Sequence, residues 1–279
     1  MTQSDRTQPD RRIAPPHRAA RAMRVFGLPR SGNHGVIKWL LRNSPCAQTV
    51  FLNNCTPFAD PFAAYAEAEI DGTRWKHRIR AAGSAAEADA AITTPPFLLA
   101  SYERWVPGMA RRGDVSGPAE DAFDCDVLIH RGFLNWLASL VVLGRRRQAD
   151  GAPGWSDLAA ALEQRVAQYA RMLEAAAAPG GPLQISYDRW FATSGYRAQV
   201  LTDLNLPARD LGLGRVSNYG GGSSFEAGVR DAAELNANDR HAQMRNDPLY
   251  AATVARMRAD AGFMARLTAL YPQDTDAMT

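Results

Sequence analysis

Three stretches of this chain are continuously apolar and turn polar only at their last residues: PFLLASYE (Pro96–Glu103), CDVLIHR (Cys125–Arg131) and LQISYD (Leu183–Asp188). A strand with one wet face alternates apolar and polar side chains. A strand covered on both faces does not, and belongs inside a parallel sheet. TVFLN (Thr49–Asn53) reads as a further short strand. Helical patterns lie between them. Trp155, Leu158, Leu162, Val166, Tyr169 and Leu173 follow steps of three and four, and Tyr250, Val254, Met257, Ala261 and Met264 form a second such face behind an Asp247-Pro248 start signal. Strands alternating with helices imply βαβ units and an α/β fold with a parallel sheet, whose ligands bind beyond the carboxyl ends of the strands. Residues 56–95 are Ala-rich and weakly patterned, and loops and short helices are expected there.

The polar strand ends then become the candidate site: the loop at 28–34, Ser101-Tyr102-Glu103, His130-Arg131 and Tyr187-Asp188. The first of these is the densest. In RVFGLPRSGNHGVIKWLL, an apolar run meets Gly27, then Pro29-Arg30-Ser31-Gly32, then a helical segment. Gly27 and Gly32 have the glycine spacing of a nucleotide phosphate loop, but Asn33-His34 stands where that motif needs Lys and a hydroxyl. The start of a helix presents free amides and a positive dipole end to an anion. Arg30 adds a guanidinium, and Ser31, Asn33 and His34 add side-chain donors. Such a loop suits a phosphate or sulfate. It suits a magnesium-bound triphosphate poorly, because the Lys and the metal-binding hydroxyl are missing.

Length and charge bound the rest. At 279 residues, one large α/β domain is expected over 23–279. Residues 1–24 carry six Arg and two Asp of a chain whose formal charge is +3, so the remainder is close to neutral. The basic character belongs to a tail, residues 1–22, expected to be disordered, and a nucleic-acid surface is not indicated. No stretch has the character of a signal peptide or membrane span, and three irregularly spaced cysteines fit a reducing, cytoplasmic setting with no disulfide framework or metal site. The cationic run Arg74–Arg78 hints at an acidic substrate.

Three motifs in order carry a family resemblance. GLPRSGNHG is similar to the 5′-phosphosulfate loop of sulfotransferases that use 3′-phosphoadenosine-5′-phosphosulfate (PAPS), most of all a bacterial subgroup with Arg-Ser-Gly-Asn-His there. LIHRGFLNWLAS resembles their 3′-phosphate motif, with Arg131 and Ser139 at its spacing. ISYDRWFATSGYRAQVLTDLNL resembles a later segment that places Tyr187 near the adenine. The resemblance implies a three-layer P-loop NTPase-like fold and transfer of a sulfuryl group from PAPS to a hydroxyl or amine of a small-molecule or glycan acceptor, without a metal. It also implies that Arg30, Ser31, Gly32, Asn33 and His34 hold the phosphosulfate, and Arg131 and Ser139 the 3′-phosphate. A late Arg-Lys-Gly segment of the family is absent; Gly220-Gly221-Gly222-Ser223-Ser224 is the candidate substitute. Glu103 is the candidate base and His34 its rival. The competing readings are a kinase or ATPase with a variant loop, and a nucleotide binder without turnover.

Overall fold

The computed structural model describes residues 19–76, 90–103, 115–116, 121–217, 219, 223, 225–226 and 228–279. Its strands are β1 (Arg21–Gly27), β2 (Thr49–Asn53), β3 (Glu67–Ile70), β4 (Thr73–Lys76), β5 (Phe97–Tyr102), β6 (Cys125–His130) and β7 (Leu183–Ser186). They form a seven-stranded mixed sheet flanked by helices, in the order β4-β3-β2-β5-β1-β6-β7. The chain divides into two compact units, one of Met1–Val25, Ser44–Tyr102 and Arg112–Cys125, the other of Phe26–Asn43, Glu103–Arg111 and Asp126–Thr279.

In the first unit, β2 runs parallel to β5, with Val50 opposite Leu98. Both strands are buried along almost their whole length, as their apolar runs require. The expectation of an all-parallel sheet fails at the edge, where β3 is antiparallel to both β2 and β4. β3 and β4 are joined by a two-residue turn, Asp71-Gly72, with φ of 46° and 81°. Positive φ at both central positions makes a hairpin turn whose twist matches antiparallel strands. Residues 67–76 are therefore a hairpin, not the loops and short helices expected. Arg74, from the cationic run, forms an ion pair with Glu67 within this hairpin; His77 and Arg78 lie outside the described residues. β1 begins at Arg21, inside the stretch expected to be tail, because Ala22 and Met23 are buried in the core.

In the second unit, β6 and β7 are parallel, with Val127 opposite Leu183. Around them run α1 (Asn33–Arg42), α2 (Phe133–Ala149), α3 (Leu158–Ala177), α4 (Tyr187–Ala192), α5 (Ser194–Asp203), α6 (Arg240–Gln243), α7 (Pro248–Arg258), α8 (Ala261–Leu270) and α9 (Pro272–Met278). The first half of α2, Phe133–Val141, is buried on every side. Phe133, Trp136, Tyr169 and Phe263 pack ring against ring around it. The β7 strand stops at Ser186, so Tyr187 and Asp188 open a helix instead of ending a strand. The C-terminal face expected to be one helix is two. Asp260 accepts from the Phe263 amide and starts α8 afresh, which buries Phe263 and Leu267 in place of Ala261 and Met264. Among the described residues, no helix is long and apolar enough to cross a membrane.

Candidate anion-binding site

The loop between β1 and α1 is held open by its neighbours. Arg30 and Gly32 both take positive φ, 76° and 85°. At Gly32 a side chain would be strained by the backbone and would overlap the Tyr187 ring. A Cβ at Gly27 would strike the Asn33 side chain and the Ile129 carbonyl. The loop carbonyls point inward and are occupied. Leu28 accepts from the Ser31 amide at 3.1 Å and from Asn33 Nδ2 at 3.2 Å; Pro29 accepts from Trp136 Nε1 at 3.0 Å; Arg30 accepts from Arg131 Nη1 at 3.4 Å. The Gly35 and Val36 amides turn back to the Gly32 carbonyl at 3.0 and 3.3 Å, and a helix start of this kind favours an anion beside its first amides. Ser31 Oγ is fully buried and has no hydrogen-bond partner among the described residues. Asn33 spends its amide nitrogen on the loop's own shape.

Arg131 follows β6, 1% exposed. Its Nη1 donates to Ser139 Oγ at 3.1 Å, its Nη2 to the Ala237 carbonyl, and its Nε lies 3.8 Å from the Asp188 carboxylate. Ser139 is two turns into α2 and returns its own proton to the Asn135 carbonyl at 3.0 Å. A third group meets them. Arg240, 5% exposed, donates from Nη1 to the same Ser139 Oγ at 3.2 Å and from Nη2 to Ser223 Oγ at 3.0 Å. No local pattern in the sequence marks Arg240 for this place. Ser223 also accepts from the Phe225 and Glu226 amides and donates to the Glu226 carboxylate at 2.5 Å. Gly221, Gly222 and Ser224 lie outside the described residues. Tyr187 stands under this group, with the Arg131 guanidinium 5.1 Å from its ring centre.

Three guanidinium groups in one buried place repel one another. Burial first, then Arg240 and Arg131, lower the Arg30 pKa to about 10. Burial and Arg131 likewise lower that of Arg240. Two of them have carboxylates beside them, Asp188 at Arg131 and Glu226 at Arg240. Around them, Asp188 accepts from the Gly132 amide at 2.6 Å, and its pKa is raised by burial in spite of Arg131. Glu226 is lowered, since hydrogen bonds from Ser223 and the nearby Arg240 outweigh its burial.

His34 and Glu103 are brought together: Nε2 lies 3.0 Å from Oε1. The His34 ring stacks on Tyr219 at 4.8 Å, and Lys38 lies 5.3 Å from the centre of the same Tyr219 ring. His130 is buried and its pKa is lowered to about 4, so it stays neutral and pairs with the Tyr271 hydroxyl. Among the described residues, no cluster of His, Cys, Asp and Glu suited to a metal ion occurs. In comparisons with known proteins, the chain matches no family model, no curated protein and no solved structure.

Proposed function

We propose that this chain is a PAPS-dependent sulfotransferase built on a three-layer P-loop-like α/β fold. The observation that carries the reading is the convergence of Arg131 and Arg240 on the Ser139 hydroxyl, with Arg30 near enough to feel both charges. One anion place, at the amides and Ser31 hydroxyl of the 30–34 loop, fits a 5′-phosphosulfate. A second, at Arg131, Ser139, Arg240 and Ser223, fits a 3′-phosphate, and the Tyr187 ring lies close to both Gly32 and Arg131. Two anion places beside one aromatic ring suit a nucleotide with phosphates at both ends of its ribose.

The bound donor would supply the sulfuryl group. The protein's own residues do the rest. Glu103 accepts the proton of the acceptor hydroxyl or amine as its oxygen or nitrogen bonds to sulfur and adenosine 3′,5′-bisphosphate departs. His34, in contact with Glu103, orients that carboxylate and reaches the loop that holds the phosphosulfate. Arg30 and the loop amides meet charge gathering on the departing phosphate, where fixed donors in a dry site act most strongly.

A nucleotide binder without turnover is the second reading. It is favoured by the His34–Glu103 contact, in which each candidate base already has a partner. Calorimetric titration with adenosine 3′,5′-bisphosphate, AMP and ATP, with and without magnesium, tests the nucleotide. Sulfation assays with PAPS and an acceptor panel then separate the two readings. Equal affinity for the bisphosphate and AMP, or a strict need for magnesium, would sink the first.

A further inference from the structure

The anion site has a second layer, built from the C-terminus. Strand β6 ends at His130, and α2 begins at Phe133, so Arg131 and Gly132 form the corner between them. Two carboxylates from distant segments cap that corner. Asp188 of α4 accepts from the Gly132 amide, and Asp274 of α9 accepts from the Leu134 amide at 3.1 Å. A Cβ at Gly132 would lie 2.9 Å from one Asp274 oxygen and 3.4 Å from an Asp188 oxygen, so the carboxylates are close neighbours over one glycine. The corner is fixed further by Tyr271, which bonds His130, and by Tyr169, which donates to the Arg131 carbonyl at 2.6 Å.

Each guanidinium of the site has a carboxylate near it before any ligand arrives: Glu103 for Arg30, Asp188 for Arg131 and Glu226 for Arg240. Asp188 lies against Arg131, and Glu226 lies 3.2 Å from Arg240. Asp274, 6% exposed, has no cation in ion-pair contact among the described residues. It faces Asp188 from α4, the Leu134 amide of α2, Tyr169 of α3, Tyr250 of α7 and Tyr271 just before its own helix, with Arg131 behind Gly132. Arg258 of α7 reaches only the far end of α9, at the Met278 carbonyl. A phosphate dianion entering the arginine cluster would leave the assembly negative in a medium that shields charge weakly.

We propose that Asp274 takes up a proton when an anion fills the arginine cluster, so that nucleotide binding is coupled to pH through the C-terminal helix. This rests on the proposed function only for the identity of the first ligand; any anion in the cluster would act alike. Asp274 is already poised. Burial, then the Asp188 charge, raise its pKa to about 6 against the pull of the Leu134 and Phe133 amides and Arg131. An anion that engages Arg131 weakens that pull and raises it further. If the rise is about one unit, occupancy by the proton at pH 7 grows by about 0.4, and affinity gains roughly fivefold between pH 8 and pH 6.

The test is titration of the whole chain with adenosine 3′,5′-bisphosphate at pH 7, in two buffers of very different ionisation enthalpy. Protonation of the nucleotide's own phosphates is common to wild type and Asp274→Asn, so the difference isolates Asp274. The expected difference is an uptake of about 0.4 proton in the wild type, lost in the variant. Equal uptake overturns the proposal. If Asp274→Asn does not fold, carboxyl carbon NMR of the wild type decides: one aspartate titrating near pH 6 must shift upward on binding, and an unmoved titration refutes the coupling. If the bisphosphate fails to bind, the proposed function falls, and the same readouts with sulfate, which does not titrate in this range, decide the inference. Failure of both anions to bind overturns it as well.

Discussion

Arg240 offers the sharpest perturbation, because the structure gives it one job that can be separated from the rest of the nucleotide. Its Nη1 shares the Ser139 hydroxyl with Arg131, and its Nη2 reaches Ser223. Arg240→Ala removes one of two guanidinium groups that would grip a 3′-phosphate and leaves the 30–34 loop intact. A charge-assisted hydrogen bond contributes about 1.5–3 kcal/mol, so affinity for adenosine 3′,5′-bisphosphate should fall roughly ten- to a hundredfold. AMP, which lacks the 3′-phosphate, should lose no more than about threefold, roughly 0.6 kcal/mol. The ratio of the two affinities, from calorimetry, is therefore the readout.

Stability without ligand should change little, since two effects oppose each other. Loss of Arg240 relieves the repulsion that lowers the Arg30 pKa. It also removes the cation beside Glu226, although that carboxylate keeps the Ser223 hydroxyl and the Asn236 amide at 3.0 Å. A melting temperature near that of the wild type, with a collapsed affinity ratio, is the expected pair of results. An unchanged ratio, or an equal loss for both nucleotides, would show that Arg240 does not read the 3′-phosphate.

Three further outcomes follow from the same geometry. Glu103→Gln should keep nucleotide affinity and lower the sulfation rate roughly 10²–10⁴-fold; if it stays active while His34→Asn is dead with binding intact, the base is His34. Gly32→Ala should weaken both nucleotide binding and the fold, by about 1–3 kcal/mol in a melt, because positive φ and the Tyr187 ring both oppose a Cβ; wild-type stability would refute the close approach. Asp274 is protonated more readily folded than unfolded, so its contribution to stability is fully present below about pH 4 and is lost as pH rises to about 6. Asp274→Asn should remove that part of the pH dependence, on the order of 2–3 kcal/mol, and an unchanged pH profile of denaturant midpoints would contradict it.

The sequence made some of this legible and hid the rest for physical reasons. Buried strands announce themselves by unbroken apolarity, and β2, β5, β6 and β7 fall where Thr49–Asn53, Pro96–Glu103, Cys125–Arg131 and Leu183–Asp188 indicated. The hairpin β3–β4 also carried a signal, Asp71-Gly72 between short polar runs, but an Ala-rich neighbourhood masked it. Pairing of Arg131 with Ser139 was readable because both lie on one strand–helix unit. Arg240 was not, since it reaches Ser139 from 101 residues away and no local pattern marks it. The same holds for Asp274, 140 residues from the amide it accepts. Asn33 is expected from its place in the loop to donate to a ligand; its side-chain nitrogen also closes the loop on Leu28.

What local patterns do specify is the ruler between the two anion places. Trp136 and Ser139 lie one turn apart on α2 and serve different places. Trp136 ties down the Pro29 carbonyl of the loop before α1, and Ser139 joins Arg131 to Arg240. Asn135, one residue before Trp136, holds the chain leading into Arg240 by donating to the Asn238 carbonyl at 2.9 Å and accepting from the His241 amide at 3.1 Å. Three positions within five residues of one helix thus fix both places and the segment that completes the second. That half of α2 is buried on every side, and its hydrogen-bonded backbone has little freedom to stretch. The spacing between the 30–34 loop and the Arg131–Ser139–Arg240 group is accordingly set by helix geometry. On the proposed function, such a site would discriminate by the separation of two charges, a property that a bisphosphorylated nucleoside has and a single phosphate lacks.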